Sequence, residues 1–131
     1  MMDLQLAPDI HRRVAFLARQ LNLVHVLPGQ IVCFRSSGSS AHARARIWSL
    51  PRIWQMALSV PPHYCIEVIS EKFDNQSLDD QERILIHELL HIPKNFSGAL
   101  SPHRTASRRT FRKYHDIVES LFKSLVSKSY T

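Results

Sequence analysis

The segment at residues 81–93, QERILIHELLHIP, constrains this chain more than any other. Ile84, Leu85, Ile86, Leu89, Leu90 and Ile92 surround its polar residues, so a helix here is apolar on every side and belongs inside the fold. Yet it carries His87, Glu88 and His91, and buried polar groups require partners. Histidines four apart lie on one helical face, one turn from each other, where both imidazoles can reach a single metal ion. Glu88 projects to the side, next to where a metal-bound water would sit. This is the H-E-x-x-H pattern, in which zinc brings the pKa of its water to about 7 and the glutamate takes the proton as the water attacks a carbonyl carbon. The plainer alternative is a pair of core histidines hydrogen-bonded to backbone, with Glu88 exposed.

One helix supplies two ligands, and a zinc site requires a third from the protein. Pro93 should stop the helix near His91, because proline cannot donate the helical hydrogen bond and clashes one turn back. Gly98 permits a turn, and His103 arrives twelve residues after His91. His103 is therefore the leading third ligand. His115, Asp116 and Glu119 stay open, Glu119 because a glutamate on the following helix is a common third ligand in zinc peptidases. The expected site is Zn2+ held by His87, His91 and His103, with Glu88 as general base. Arg104, Tyr114 and His115 are candidates for stabilising the oxyanion.

The remaining segments predict an α-β-β-α-β-α-α order. Asp9 is placed to cap a helix whose face is Ile10, Val14, Leu17 and Leu21. Residues 29–35 and 43–49 read as strands, and Pro51 opens a short helix through Leu58. Residues 64–73 read as a third strand, with Ile66 and Val68 on one side and Cys65, Glu67 and Ile69 on the other. This strand reads either as an exposed sheet edge that binds an extended peptide through its main chain or as an ordinary sheet strand. Ser77 and the acids after it suit the start of the H-E-x-x-H helix. From about Thr105 a long amphipathic helix presents Phe111, Tyr114, Val118, Leu121 or Phe122, and Leu125. With 131 residues, no repeat and no long linker, residues 1–131 read as a single domain.

The formal charge of +6 is unevenly spread. Seven acids and two bases lie within residues 67–88, and eight bases and two acids within residues 94–128. Residues 104–113, RTASRRTFRK, carry the arginines and an aromatic that a nucleic-acid site uses, although a solvated helix surface has the same composition. Cations at a helix N-terminus oppose its dipole, which is the one reason to look for a partner there. Cys33 and Cys65 read as small apolar core residues with reduced thiols. No signal-peptide run and no membrane-length apolar stretch is visible, so the expected location is cytoplasmic, away from the membrane.

The run HELLHIPKNFSGALSPH, preceded by ARIWSLPRIWQMALSVPPHYCIEVISEKFD, resembles the small metallopeptidases of prokaryotes and phages related to the minigluzincins. The likeness covers residues 43–104, about half the chain. It implies an α+β, minimal zincin-like fold: a small mixed sheet with a backing helix, an active-site helix and a C-terminal helix. It implies His87 and His91 as zinc ligands and Glu88 as base, and it favours His103 as the third ligand. The expected function is zinc-dependent hydrolysis of peptide or protein substrates. Two other readings stand beside it: a regulatory or DNA-associated module acting on a DNA-bound protein, and a zinc-stabilised binding protein without turnover.

Overall fold

A computed structural model describes residues 2–101 and 108–129, with side chains omitted for residues 108–112 and 127–129. The fold is α+β, as expected. Its strands are β1 (Asp3–Leu6), β2 (Ile31–Ser37), β3 (Ala45–Trp48) and β4 (Tyr64–Ile69). Its helices are α1 (Pro8–Gln20), α2 (Arg52–Leu58), α3 (Ser70–Phe73), α4 (Leu78–Leu89) and α5 (Arg108–Ser129). A 3-10 turn, Pro28–Gln30, leads into β2.

The four strands form one mixed sheet in the order β1-β2-β4-β3. β2 and β4 run parallel, from Ile31 opposite Tyr64 to Ser36 opposite Ile69. β1 and β3 are antiparallel to their neighbours. This decides against the edge reading of residues 64–73: β4 is internal, and β3 holds the edge on the α4 side. The internal position explains its burial. Tyr64, Ile66 and Val68 are buried on one face, and Glu67 and Ile69 on the other. Glu67 is tolerated because its register partner Arg46 donates to it at 2.8 Å and Trp48 Nε1 at 2.9 Å.

Two boundaries also differ from expectation. β4 stops at Ile69, and the four residues of α3 turn Phe73 fully into the core. Asp9 does not cap α1; the capping position is Ala7, with no side-chain bond, and Asp9 pairs instead with Arg35 at 2.8 Å. Pro at the first helical position compensates in part, since it has no N–H to leave unsatisfied. β1 was not expected, because all four of its residues are exposed and carry no burial pattern.

Ile10, Val14 and Leu17 of α1, the inner face of β4, Leu85, Ile86 and Leu89 of α4, and Val118, Phe122 and Leu125 of α5 share one hydrophobic core. Burying each large side chain contributes about 2 kcal/mol, so the expected faces of α1 and α5 are those that stabilise most. Ser77 caps α4 as expected, accepting from Asp80 N at 3.1 Å. Among the described residues no helix is long and apolar enough to cross a membrane.

Candidate metal centre

α4 ends at Leu89, two residues short of His91. The N–H groups of His91 and Ile92 each reach back three residues, to Glu88 O and Leu89 O at 3.1 Å, so the chain tightens into one last turn before Pro93. His91 therefore stays beside His87: their rings lie 5.3 Å apart, nearly edge to face. The spacing expected from the sequence is realised.

The loop after Pro93 turns back onto this pair. Phe96 and Gly98 both take positive φ, at 45° and 93°. Gly98 is required there: a Cβ would sit 2.5 Å from Leu50 O and collide with the side chain of Gln55. Tyr64, fully buried beneath the loop, accepts from Gly98 N at 2.9 Å and donates to Ala99 O at 2.7 Å. Gln55 donates to Ser97 O at 2.8 Å. Ser101 then closes the circuit. Its N–H donates to His91 O at 2.7 Å, and its carbonyl lies 2.9 Å from His91 Nδ1. A carbonyl only accepts, so Nδ1 carries the proton, which is the tautomer with Nε2 as the acceptor nitrogen. Sequence periodicity gave no sign of Ser101, Gln55 or Tyr64 in this role.

Glu88 is buried, 6% exposed, which excludes the alternative in which it faces solvent. Burial pushes its carboxyl up to about 8. A cavity of about 600 Å3 lies in front of it, between α4, α5 and the approach to β3. His87, Glu88, Tyr114, His115 and Glu119 line it, with His42 and Arg44 on the sheet side. The Tyr114 ring stands 5.1 Å from that of His87 and 5.7 Å from that of His91. Its hydroxyl donates to His87 O at 2.9 Å. Burial, and then the charge of Glu88, raise its pKa further above the usual phenol range.

The three alternatives for a third ligand separate here. Glu119 lines the cavity but is taken by Arg83 at 2.8 Å, and Asp116 and His115 are exposed on α5. Among the described residues, no third His, Cys, Asp or Glu completes a metal-holding group with the two histidines. His103 and Arg104 lie outside the described residues, as do the side chains of most of the basic segment 104–113. Cys33 is buried in the core, as expected, whereas Cys65 on β4 is only half-buried and lies outside that core; neither lines the cavity. The donor set fits a metal in its two imidazoles: adjacent, one with a fixed tautomer, beside a carboxyl that a nearby cation would hold ionised.

The profile of a family described as putative phage metallopeptidase matches residues 2–126. The chain belongs to this family. Neither the curated proteins nor the solved structures give a match. Family membership assigns the class of chemistry, metal-dependent hydrolysis of peptide bonds, and the class of substrate, peptides or proteins. The match runs through β1 and most of α5, well beyond the segment whose resemblance was visible in the sequence.

Proposed function

We propose that this phage-type metallopeptidase is a zinc enzyme of minimal zincin type, with His87, His91 and His103 holding the metal and Glu88 as general base. The observation that carries the reading is the closeness of the two imidazoles, 5.3 Å between rings, with the buried carboxyl of Glu88 in the same cavity. Zinc, when bound, supplies a Lewis acid that polarises the scissile carbonyl and acidifies water.

The chain's own residues do the rest. Ser101 O orients the His91 ring through Nδ1, the arrangement in which Nε2 is the nitrogen that binds a metal. Glu88 accepts the proton of the attacking water and passes it to the leaving amine. Its burial removes competing solvent and makes its charge depend on a neighbouring cation. Tyr114 packs against both imidazoles and holds α5 to the end of α4 through His87 O. That contact fits it for positioning the site more than for meeting the oxyanion directly. His103 is supported by covalent reach. It lies two residues along the chain from Ser101, which is bonded to His91 through both its backbone groups.

The test pairs metal analysis with one substitution. Chain purified without chelator or nickel resin should hold about one zinc per molecule and cleave an unbiased peptide library. Glu88→Gln should keep the metal and lose about 100-fold or more in turnover. Unchanged turnover in that variant would move the chemistry to another residue.

A further inference from the structure

The wall of the catalytic cavity opposite α4 is built from an unusual stretch of chain. Residues 38–66 contain Arg44, Arg46, Arg52, His42 and His63, and not one aspartate or glutamate. Two of these arginines are accounted for differently from the third. Arg46 is bound to Glu67 at 2.8 Å and stacks 5.0 Å over Trp48. Arg52 borders a separate cavity of about 400 Å3, at the far end of β3. Arg44 is exposed, lines the catalytic cavity, and has no ion-pair partner among the described residues.

Among the described residues, charge elsewhere on the cavity lining does not cancel it. On the lining itself Glu119 is paired with Arg83 at 2.8 Å. Arg83 is shared at 2.9 Å with Asp80, which lies outside the cavity lining and leaves that trio with one net negative charge. Glu88 belongs to the reaction. What remains on the wall is one unpaired guanidinium, the neighbouring imidazole of His42, and the apolar side chains of Ala45, Ile84 and Val118. Arg44 is also fixed in place: its carbonyl accepts from Ile69 N at 3.0 Å, just before β3 begins. A guanidinium on an anchored backbone, facing an open cavity, is suited to a planar carboxylate, which it can bind through two parallel hydrogen bonds.

We infer that this site selects peptides bearing an aspartate or glutamate side chain next to the scissile bond, and that Arg44 is the residue that reads it. The inference rests on the peptidase reading above and adds the substrate class. A basic residue at the same position would place two like charges in a partly desolvated cavity, so lysine and arginine should be selected against. The preference should weaken with salt, because Arg44 is exposed.

Binding and cleavage are measured separately, so that the two readings fail separately. Zinc-loaded Glu88→Gln chain is titrated with fluorescent peptides that differ only in having Glu, Gln or Lys at the positions flanking one bond. Wild-type chain is assayed on the same set. The Glu peptide should bind about tenfold tighter than the Gln peptide, and Lys weakest. Arg44→Ala should remove the difference while leaving the affinity for the Gln peptide within about twofold, and Arg44→Glu should reverse the order. Equal affinities for the three peptides in the unsubstituted background, or an Arg44→Ala loss shared equally among them, overturns the inference whether or not any peptide is cleaved. Discrimination in binding with no hydrolysis by the wild type overturns the peptidase reading and leaves a site for acidic peptides.

Discussion

Tyr64→Phe removes one oxygen, and the structure says what that oxygen holds. It accepts from Gly98 N at 2.9 Å and donates to Ala99 O at 2.7 Å, from a side chain only 1% exposed. Phenylalanine keeps the ring and its edge contact with Phe96 at 4.9 Å, so packing is conserved and no cavity opens. The loss is therefore two hydrogen bonds, with a buried amide and a loop carbonyl left without that partner. At about 1–1.5 kcal/mol each, the fold should lose about 2–3 kcal/mol. The loop concerned carries Ser101 back to His91, so part of the loss should appear as weaker metal binding. If half the cost falls on the closed loop, zinc affinity drops about tenfold, since 1.4 kcal/mol is one decade. Urea unfolding of the metal-free chain gives the first number, and competition with a chromophoric chelator gives the second. Unchanged zinc affinity in a chain destabilised by the full amount would show that the loop and the metal centre are independent, and would sink the argument that Tyr64 organises the site.

Other substitutions probe neighbouring links. His103→Ala should abolish activity and greatly weaken zinc binding, while Glu119→Ala, which only releases Arg83, should leave zinc content intact; equilibrium dialysis of both decides, and the reverse pattern would make this a glutamate-ligand site. Gly98→Ala should cost about 2–3 kcal/mol in thermal or urea unfolding, because its φ of 93° disfavours any Cβ and Leu50 O stands 2.5 Å from where that atom would go. Glu67 gives a pH dependence. Burial alone would raise its carboxyl, but the hydrogen bonds from Arg46 and Trp48 outweigh it and hold the group below its ordinary value of 4.5. A depressed folded pKa means that the contribution is complete above about 4.5 and is lost as pH falls through the lower, folded value. Glu67→Gln should therefore cost about 1–2 kcal/mol near neutral pH and flatten the acid limb of the stability curve.

Helix-forming segments were the most legible part of the fold, because their signals are local. Three-and-four spacing set the faces of α1 and α5, and Ser77 with its following acids marked the start of α4. The sheet was harder. Alternation in residues 64–73 predicts a strand with one charged face, and its place just before the active-site helix, where a zincin arrangement has its edge strand, points to the edge. The inference fails because Glu67 is matched across the ladder by Arg46, a pairing between residues 21 apart that no local pattern encodes. Once the pair is known, the burial of both faces of β4 follows, and so does its internal position. β1 was invisible for the opposite reason: it is held by main-chain pairing to β2 and buries nothing that would leave a mark in composition.

The same division runs through the metal centre. His87, Glu88 and His91 could be read because helical geometry alone makes them neighbours, and even the tightening of the last turn before Pro93 moves the second imidazole too little to break the pair. What makes the pair usable lies elsewhere in the chain. The tautomer of His91 is set by a backbone carbonyl ten residues later, and that carbonyl is in place because a tyrosine 35 residues before Ala99 holds the loop from below. Backbone acceptors carry no residue identity, so Ser101 could not be singled out, and Tyr64 looked like one more aromatic at the start of a strand. Gly98 was the only visible trace of this arrangement. It was legible as a turn, and the structure adds why the turn must pass so close to Leu50 and Gln55: the loop is pressed against the end of β3 and α2, and that pressure directs the chain back toward His91.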